Sequence, residues 1–464
     1  MLFAVTLTGC SWERWNAPIE TSVKDAPAAA RQPQATRSRS ATLPSDRRQS
    51  YARKTDRRKA QAKSSAPGAS QGSRKAAKKK LAKKAAKEPQ VITVPVARSP
   101  GLRDDISRII RNPGQIWGGG RARRYDAAAP TSDVAATVRV YFGTDRNRTA
   151  STDPRTYYGH ERAAVSYGYS DVTVPRAHTV GRLETPSVLK FEFSPNPAKH
   201  IVVASITSMG SDDFFGQLRA ESGRLSERQA FVFVHGYAND FHEATRRAAQ
   251  MKYDLNFPGL AIIYSWPSVG SESAYGLDAD SIEWSTDNLR QFLRDIAERS
   301  GAEEIFLIGH SMGTRGLAAA VAGLTSNAPR EISARYRQLI LAAPDIDRDI
   351  FKDRIFPAIK AAGMNVTLYA SDRDKALDLS KIGRGPGRAF PRLGTTSPSP
   401  FVAEGISTID AGPVDTSFWG HRYYAENRSI ISDIYYLIRG VPVLNRFGIE
   451  QIKDPGGGYW RFKQ

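Results

Sequence analysis

A chain of 464 residues with a formal net charge of +20 is long enough for a large buried core plus added segments. The charge is lopsided. Residues 1–100 hold 22 Lys and Arg against 6 Asp and Glu, or +16, which leaves about +4 on the other 364, so the excess marks a tail and not a nucleic-acid-binding protein as a whole. The single cysteine, Cys10, excludes an internal disulfide, a cysteine-based metal site and a Cys-x-x-Cys redox pair.

The first ten residues, Met1-Leu2-Phe3-Ala4-Val5-Thr6-Leu7-Thr8-Gly9-Cys10, form a short apolar run that ends in a small residue and a cysteine. The run resembles a truncated bacterial lipoprotein signal with Leu7-Thr8-Gly9-Cys10 as its lipobox. It is short and lacks the usual positive start. The resemblance implies that Cys10 carries lipid and that the protein sits in the bacterial cell envelope, lipid-anchored or periplasmic. No later segment reaches the roughly 18 apolar residues of a spanning helix, so membrane attachment is expected only at this end.

Residues 11–133 are expected to be a disordered basic linker rich in Ala, Lys and Pro, with a transitional stretch that includes a short helix near 106–111. Large apolar residues are too scarce there to offset the entropy of folding. Residues 11 to about 90, which include the basic run from Lys75 to Lys87, read either as an arm for an anionic envelope surface or as a spacer. The spacer is favoured, with weak anionic-surface binding as a side effect. Aromatic residues do not interleave with the basic run, so no nucleic-acid partner is expected.

A folded domain is expected over 134–464. Residues 136–142, 166–174, 190–193 and 201–206 read as strands without helices between them, hence antiparallel. Then the rhythm changes to strand and helix in alternation. The expected strands are 230–234, 260–264, 304–308, 338–342 and 365–369. The expected helices are 240–253, 286–300, 312–324 and 429–439. Such alternation implies an α/β fold, a mostly parallel central sheet with helices on both faces.

Gly309-His310-Ser311-Met312-Gly313 matches G-x-S-x-G. A turn this tight between strand and helix strains the serine backbone, and glycine flanks it because a Cβ would collide with neighbouring elements. The serine Oγ then projects above the sheet as a candidate nucleophile, and the Met312 N–H faces the place where an oxyanion would form. Of seven histidines (160, 178, 200, 235, 242, 310 and 421), only His421 follows this turn, and the chain order serine, acid, histidine makes it the candidate base. Asp374 is the preferred acid, with Asp372 and Asp347 as alternatives; unused aspartates would be caps or loop hydrogen-bonders. The second oxyanion donor is expected in the loop after strand 230–234, at the Tyr237 N–H. His235 reads as structural within that loop. The scattered histidines suggest no metal site, and no cofactor is expected.

With these segments in view, residues from about 135 to 440 resemble the bacterial esterase/lipase-like α/β-hydrolases of unknown function. The matching stretches are Tyr-Phe-Gly-Thr-Asp-Arg-Asn-Arg at 141–148, Ser-Tyr-Gly-Tyr at 166–169, Val-Thr-Val-Pro at 172–175, Phe-Val-His-Gly-Tyr at 233–237 and Tyr-Ser-Trp-Pro at 264–267. Further ones are Gly-His-Ser-Met-Gly at 309–313, Ala-Ala-Pro-Asp-Ile-Asp at 342–347, Tyr-Ala-Ser-Asp-Arg-Asp-Lys-Ala-Leu at 369–377 and Gly-His-Arg-Tyr-Tyr at 420–424. The resemblance implies an α/β-hydrolase fold, the triad Ser311, Asp374 and His421, and a small acyl or ester substrate it does not specify. Trp266 belongs either to the pocket rim or to the core. The expected activity is that of a serine hydrolase at the envelope; the competing reading is a non-catalytic envelope lipoprotein that uses the fold as a binding scaffold.

Overall fold

The computed structural model describes residues 134–187, 189, 191–192, 194–373, 390–414, 427–454 and 457–463. The expected linker, the 106–111 helix and Cys10 lie outside them. Three long strands come first: β1 (Ala135–Arg148), β2 (Tyr158–Pro175) and β3 (Val202–Met209). β2 pairs antiparallel with both neighbours. Helix α1 (Ser211–Ser222) follows, then β4 (Gln229–Val234), α2 (Phe241–Asp254), β5 (Leu260–Ser265), α3 (Tyr275–Arg299), β6 (Glu304–His310), α4 (Gly313–Asn327) and β7 (Tyr336–Ala342). The described C-terminal part adds β8 (Asn365–Ala370), β9 (Ile406–Asp410), α5 (Arg428–Ile438), β10 (Ile449–Ile452) and β11 (Tyr459–Phe462), with short helical turns between β7 and β8.

The strands form one sheet in the order β10-β11-β9-β8-β7-β6-β4-β5-β1-β2-β3. From β1 through β5, β4, β6, β7, β8 and β9 to β11 every pairing is parallel. This is the expected fold: a mostly parallel sheet with an antiparallel N-terminal edge. β4 shows why its sequence is continuously apolar. Ala230, Val232 and Val234 pack on one face with α1, α3 and α4. Phe231 and Phe233 pack on the other with α2 and α5. A strand covered on both sides has no solvent face on which to alternate.

Two expectations need correction. Residues 190–193 are not a strand where described: Phe191 has φ +56° and is 84% exposed, and a left-handed phenylalanine cannot continue a pleated strand. Helix α3 starts at Tyr275, not near 286. Its first turns carry Asp278, Ser281 and Ser285, all buried, so their polarity conceals an inward face.

Away from the strand C-termini, His178 joins the loop after β2 to the end of α2. Its Nδ1 lies 2.8 Å from Glu184 Oε2 and its Nε2 2.8 Å from Asp254 Oδ1. Burial alone would lower the imidazole pKa, but the hydrogen bonds to Asp254 and Glu184 outweigh it and raise it from 6.5 to about 9. A folded-state pKa above the unfolded one gives stability that is complete below pH 6.5 and disappears as the pH rises through about 9. Urea unfolding of the wild type should therefore lose about 3 kcal/mol across that window. His178→Gln should show no such slope, and a wild-type curve equally flat there would contradict the assignment.

Candidate active site

The parallel strands β4 to β9 end along one edge of the sheet, and the turn 309–313 leaves β6 there. Ser311 has φ +49°, the left-handed conformation that costs a residue bearing a Cβ about 1–2 kcal/mol. Its N–H donates to Ala342 O at the end of β7 at 2.9 Å. Its carbonyl accepts from Thr314 N at 3.0 Å, Asp345 N at 3.3 Å and Thr314 Oγ1 at 2.5 Å. Two more non-glycine residues with positive φ flank it, Ala238 at +55° after β4 and Ala343 at +48° after β7. Such strain persists only where surrounding contacts fix it, and it clusters at functional sites.

Glycine at two positions has a direct steric cause. A Cβ on Gly313 would lie 2.0 Å from His235 O, and one on Gly236 would lie 2.6 Å from His310 Nδ1 and 3.0 Å from Ser311 Cβ. The loop after β4 therefore packs directly on the turn, which brings Gly236 beside Ser311. The Met312 N–H has no acceptor among the described residues, while its side chain anchors the turn in the core.

The loop 235–240 is pinned from two sides. The buried Asp278 carboxylate of α3 accepts from Ala238 N at 2.9 Å, Ser268 Oγ at 2.6 Å and Val269 N at 2.8 Å. Arg146, at the end of β1 and 1% exposed, donates through Nη2 to Asn239 O at 2.7 Å, through Nη1 to Ser268 O at 2.8 Å and through Nε to Ser265 Oγ at 2.9 Å. Burial lowers its pKa to about 10, so it stays charged at neutral pH. His235 is buried and stacks on Trp266 with ring centroids 5.0 Å apart. Trp266 is wholly buried and donates its indole N–H to His235 O at 2.8 Å, so it belongs to the core and not to a rim.

Among the aspartates, Asp347 caps the helical turn at Arg348–Ile350, accepting from Asp349 N at 3.0 Å and Ile350 N at 3.1 Å. Asp345 is buried between Arg315 Nη2 at 2.6 Å and Arg392 Nε at 3.1 Å, and it accepts from Tyr275 Oη. Asp372 is exposed just after β8, and its Oδ1 lies 3.0 Å from where a Gly412 Cβ would stand. The loops after β8 and β9 therefore meet. Asp374 and His421 lie outside the described residues. Sequence reasoning missed Arg146, Asp278 and the Arg315–Asp345–Arg392 cluster. The only available signal was charged residues inside otherwise apolar or motif segments. Among the described residues no group of His, Cys, Asp and Glu is arranged to hold a metal.

Sheet order, flanking helices and the strained serine turn define the class: this is an α/β-hydrolase-fold protein. Within that class, residues 216–439, from α1 through α5, match the family described as "Alpha/beta hydrolase of unknown function (DUF900)". The resemblance carried by the sequence motifs holds. No curated protein matches the chain. Among solved structures, it is similar to a predicted CIB-like hydrolase from Thermoplasma acidophilum, at 16% identity over 46% of this chain and 88% of that one, TM-score 0.26. It is also similar to an SN3-inhibited esterase B from Lactobacillus rhamnosis, at 8% identity over 73% and 94%, TM-score 0.29. At such identities and TM-scores neither bears on the activity of this chain.

The packing of the turn sets a stability test. Gly313→Ala forces backbone against backbone and should cost about 2–3 kcal/mol in urea unfolding. Gly276→Ala, in α3 with nothing within 4 Å of the added Cβ, should be neutral or gain about 0.5 kcal/mol. Equal midpoints for the two variants would contradict the close approach.

Proposed function

We propose that the protein is a serine hydrolase that cleaves a carboxylic ester or related acyl bond through an acyl-enzyme on Ser311. The observation that carries the reading is the left-handed serine at the end of β6, held at φ +49° by hydrogen bonds from three neighbouring segments. Backbone strain at a serine between a buried strand and a helix is what a projecting nucleophile requires. Ser311 Oγ attacks the acyl carbon while its proton passes to His421, and Asp374 holds the resulting imidazolium. The carbonyl electron pair moves onto oxygen, where the Met312 and Tyr237 N–H groups stabilise it. Collapse of the adduct breaks the bond to the leaving group, which takes the proton from His421. Water then repeats the sequence and releases the acid. Asp372 is the alternative acid; Asp347 is committed to its cap.

The location belongs to the same proposal. Cys10 tethers the enzyme by lipid to the bacterial envelope, residues 11–133 act as a basic spacer, and residues 134–464 form the hydrolase. The motif at residues 7–10 and the charge of +16 on residues 1–100 support this reading.

A fluorophosphonate probe tests the chemistry. Wild type should label and hydrolyse short acyl esters, Ser311→Ala should do neither, and His421→Ala should lose at least about a thousandfold in kcat. A folded wild type that neither labels nor hydrolyses would favour the non-catalytic scaffold instead. The tail is tested separately: the full chain without lipid should bind anionic vesicles in a salt-sensitive way, and deletion of residues 20–90 should abolish that binding. Binding unchanged by the deletion would exclude a role for the tail.

A further inference from the structure

We infer that Arg146 and His235 form a lock that fixes the orientation of the Gly236–Tyr237 peptide, which makes both of them positioning residues for the reaction proposed above, on which this inference rests. The Arg146 guanidinium reaches four segments at once: Gly159 O at 3.0 Å, Ser265 Oγ at 2.9 Å, Ser268 O at 2.8 Å and Asn239 O at 2.7 Å. Each of these acceptors is neutral. Its Nη2 also faces His235 Nε2 at 3.5 Å. A guanidinium has no acceptor atom, so the Nε2 turned toward it carries no proton. Ser265 Oγ, which accepts from Arg146 Nε, keeps its own proton to donate to Nε2 at 3.1 Å.

The other side of the ring gives the same answer. His235 Nδ1 lies 2.8 Å from Gly236 O, an atom that only accepts, so Nδ1 carries the proton. Both contacts specify one tautomer. Burial, with the Arg146 charge behind it, pushes the imidazole pKa down to about 3, so the ring is neutral across the range in which an ester hydrolase works.

The consequence lies in the peptide plane. The Gly236 carbonyl is held toward the imidazole by Nδ1–H, and Asn239 Nδ2 lies 3.4 Å from the same oxygen and 2.7 Å from Tyr237 O. In a trans peptide the N–H points opposite to the carbonyl. The Tyr237 N–H is therefore turned away from His235, and because Gly236 packs on Ser311, it faces the space above the nucleophile. A flipped peptide would present a carbonyl lone pair to the developing oxyanion and cancel the donor. Asp278 fixes the following residue through Ala238 N, so the lock and the strained Ala238 hold one conformation between them. Only a planar fork can serve this many segments, which explains arginine rather than lysine at the position.

The test uses the full chain, a short acyl ester and a trifluoromethyl ketone that mimics the oxyanion. His235→Leu removes the Nδ1–H and should lower kcat about a hundredfold, with KM within threefold and ketone affinity falling in step with kcat. His235→Asn puts an amide N–H where Nδ1–H stood and should restore most of the rate. The ring tautomer of the wild type is read independently by NMR of ¹⁵N-labelled histidine, and Nδ1 should carry the proton from pH 5 to 9. An active wild type with a fully active His235→Leu, an asparagine variant as impaired as the leucine one, or a proton on Nε2 would each overturn the lock while leaving the hydrolase reading intact. A wild type without esterase activity would overturn both.

Discussion

The carbonyl of Ser311 accepts from Thr314 N, Thr314 Oγ1 and Asp345 N, while its N–H is tied to Ala342 O. These bonds join the start of α4, the loop after β7 and the end of β7 itself to one residue. They hold Ser311 in a left-handed conformation that an isolated chain would leave. The Gly313 contact with His235 O closes the remaining side. Any shift of the turn must therefore move β7, α4 and the loop after β4 together, and the interior of a packed domain resists that.

Around this turn the fold uses buried charge as scaffolding. Asp278, Arg146 and Asp345 are all under 3% exposed, and each fastens a loop to a neighbouring strand or helix. Asp278 and Arg146 hold the loop after β4 and the loop after β5; Asp345, with Arg315 and Arg392, ties the loop after β7 to α4. Buried charges of this kind contribute little net stability compared with apolar packing, but breaking one is costly because its partners are left unsatisfied. Such groups specify loop geometry, and a site built on loops needs that more than it needs added stability.

The sequence made the central layer legible. β4, β5 and β6 are buried on both faces, so their runs of apolar residues could not be mistaken for surface, and the G-x-S-x-G turn sits where strand and helix demand it. The first turns of α3 were not legible, because Asp278, Ser281 and Ser285 look like a solvent face and are buried. β9, β10 and β11 are short and carry Ser, Thr, Glu, Gln and Arg, so no period marked them. Residues 190–193 alternate like a strand, and only the backbone of Phe191 shows otherwise. Arg146 lay inside a recognised segment, yet nothing in a lone arginine says that its guanidinium will reach four others. Asp374 and His421 were read from chain order and resemblance alone, and they lie outside the described residues.

The central claim is covalent chemistry at Ser311, and acyl-enzyme trapping addresses it most directly. The protein is mixed with p-nitrophenyl acetate, quenched in acid during turnover and digested with trypsin, and the Ser300–Arg315 peptide is sequenced by mass spectrometry. One acetyl group on Ser311, absent from a sample chased with excess hydroxylamine before the quench, is the predicted result. Turnover of the ester with that peptide unmodified at every quench time, or with the acetyl group on another residue, would contradict it.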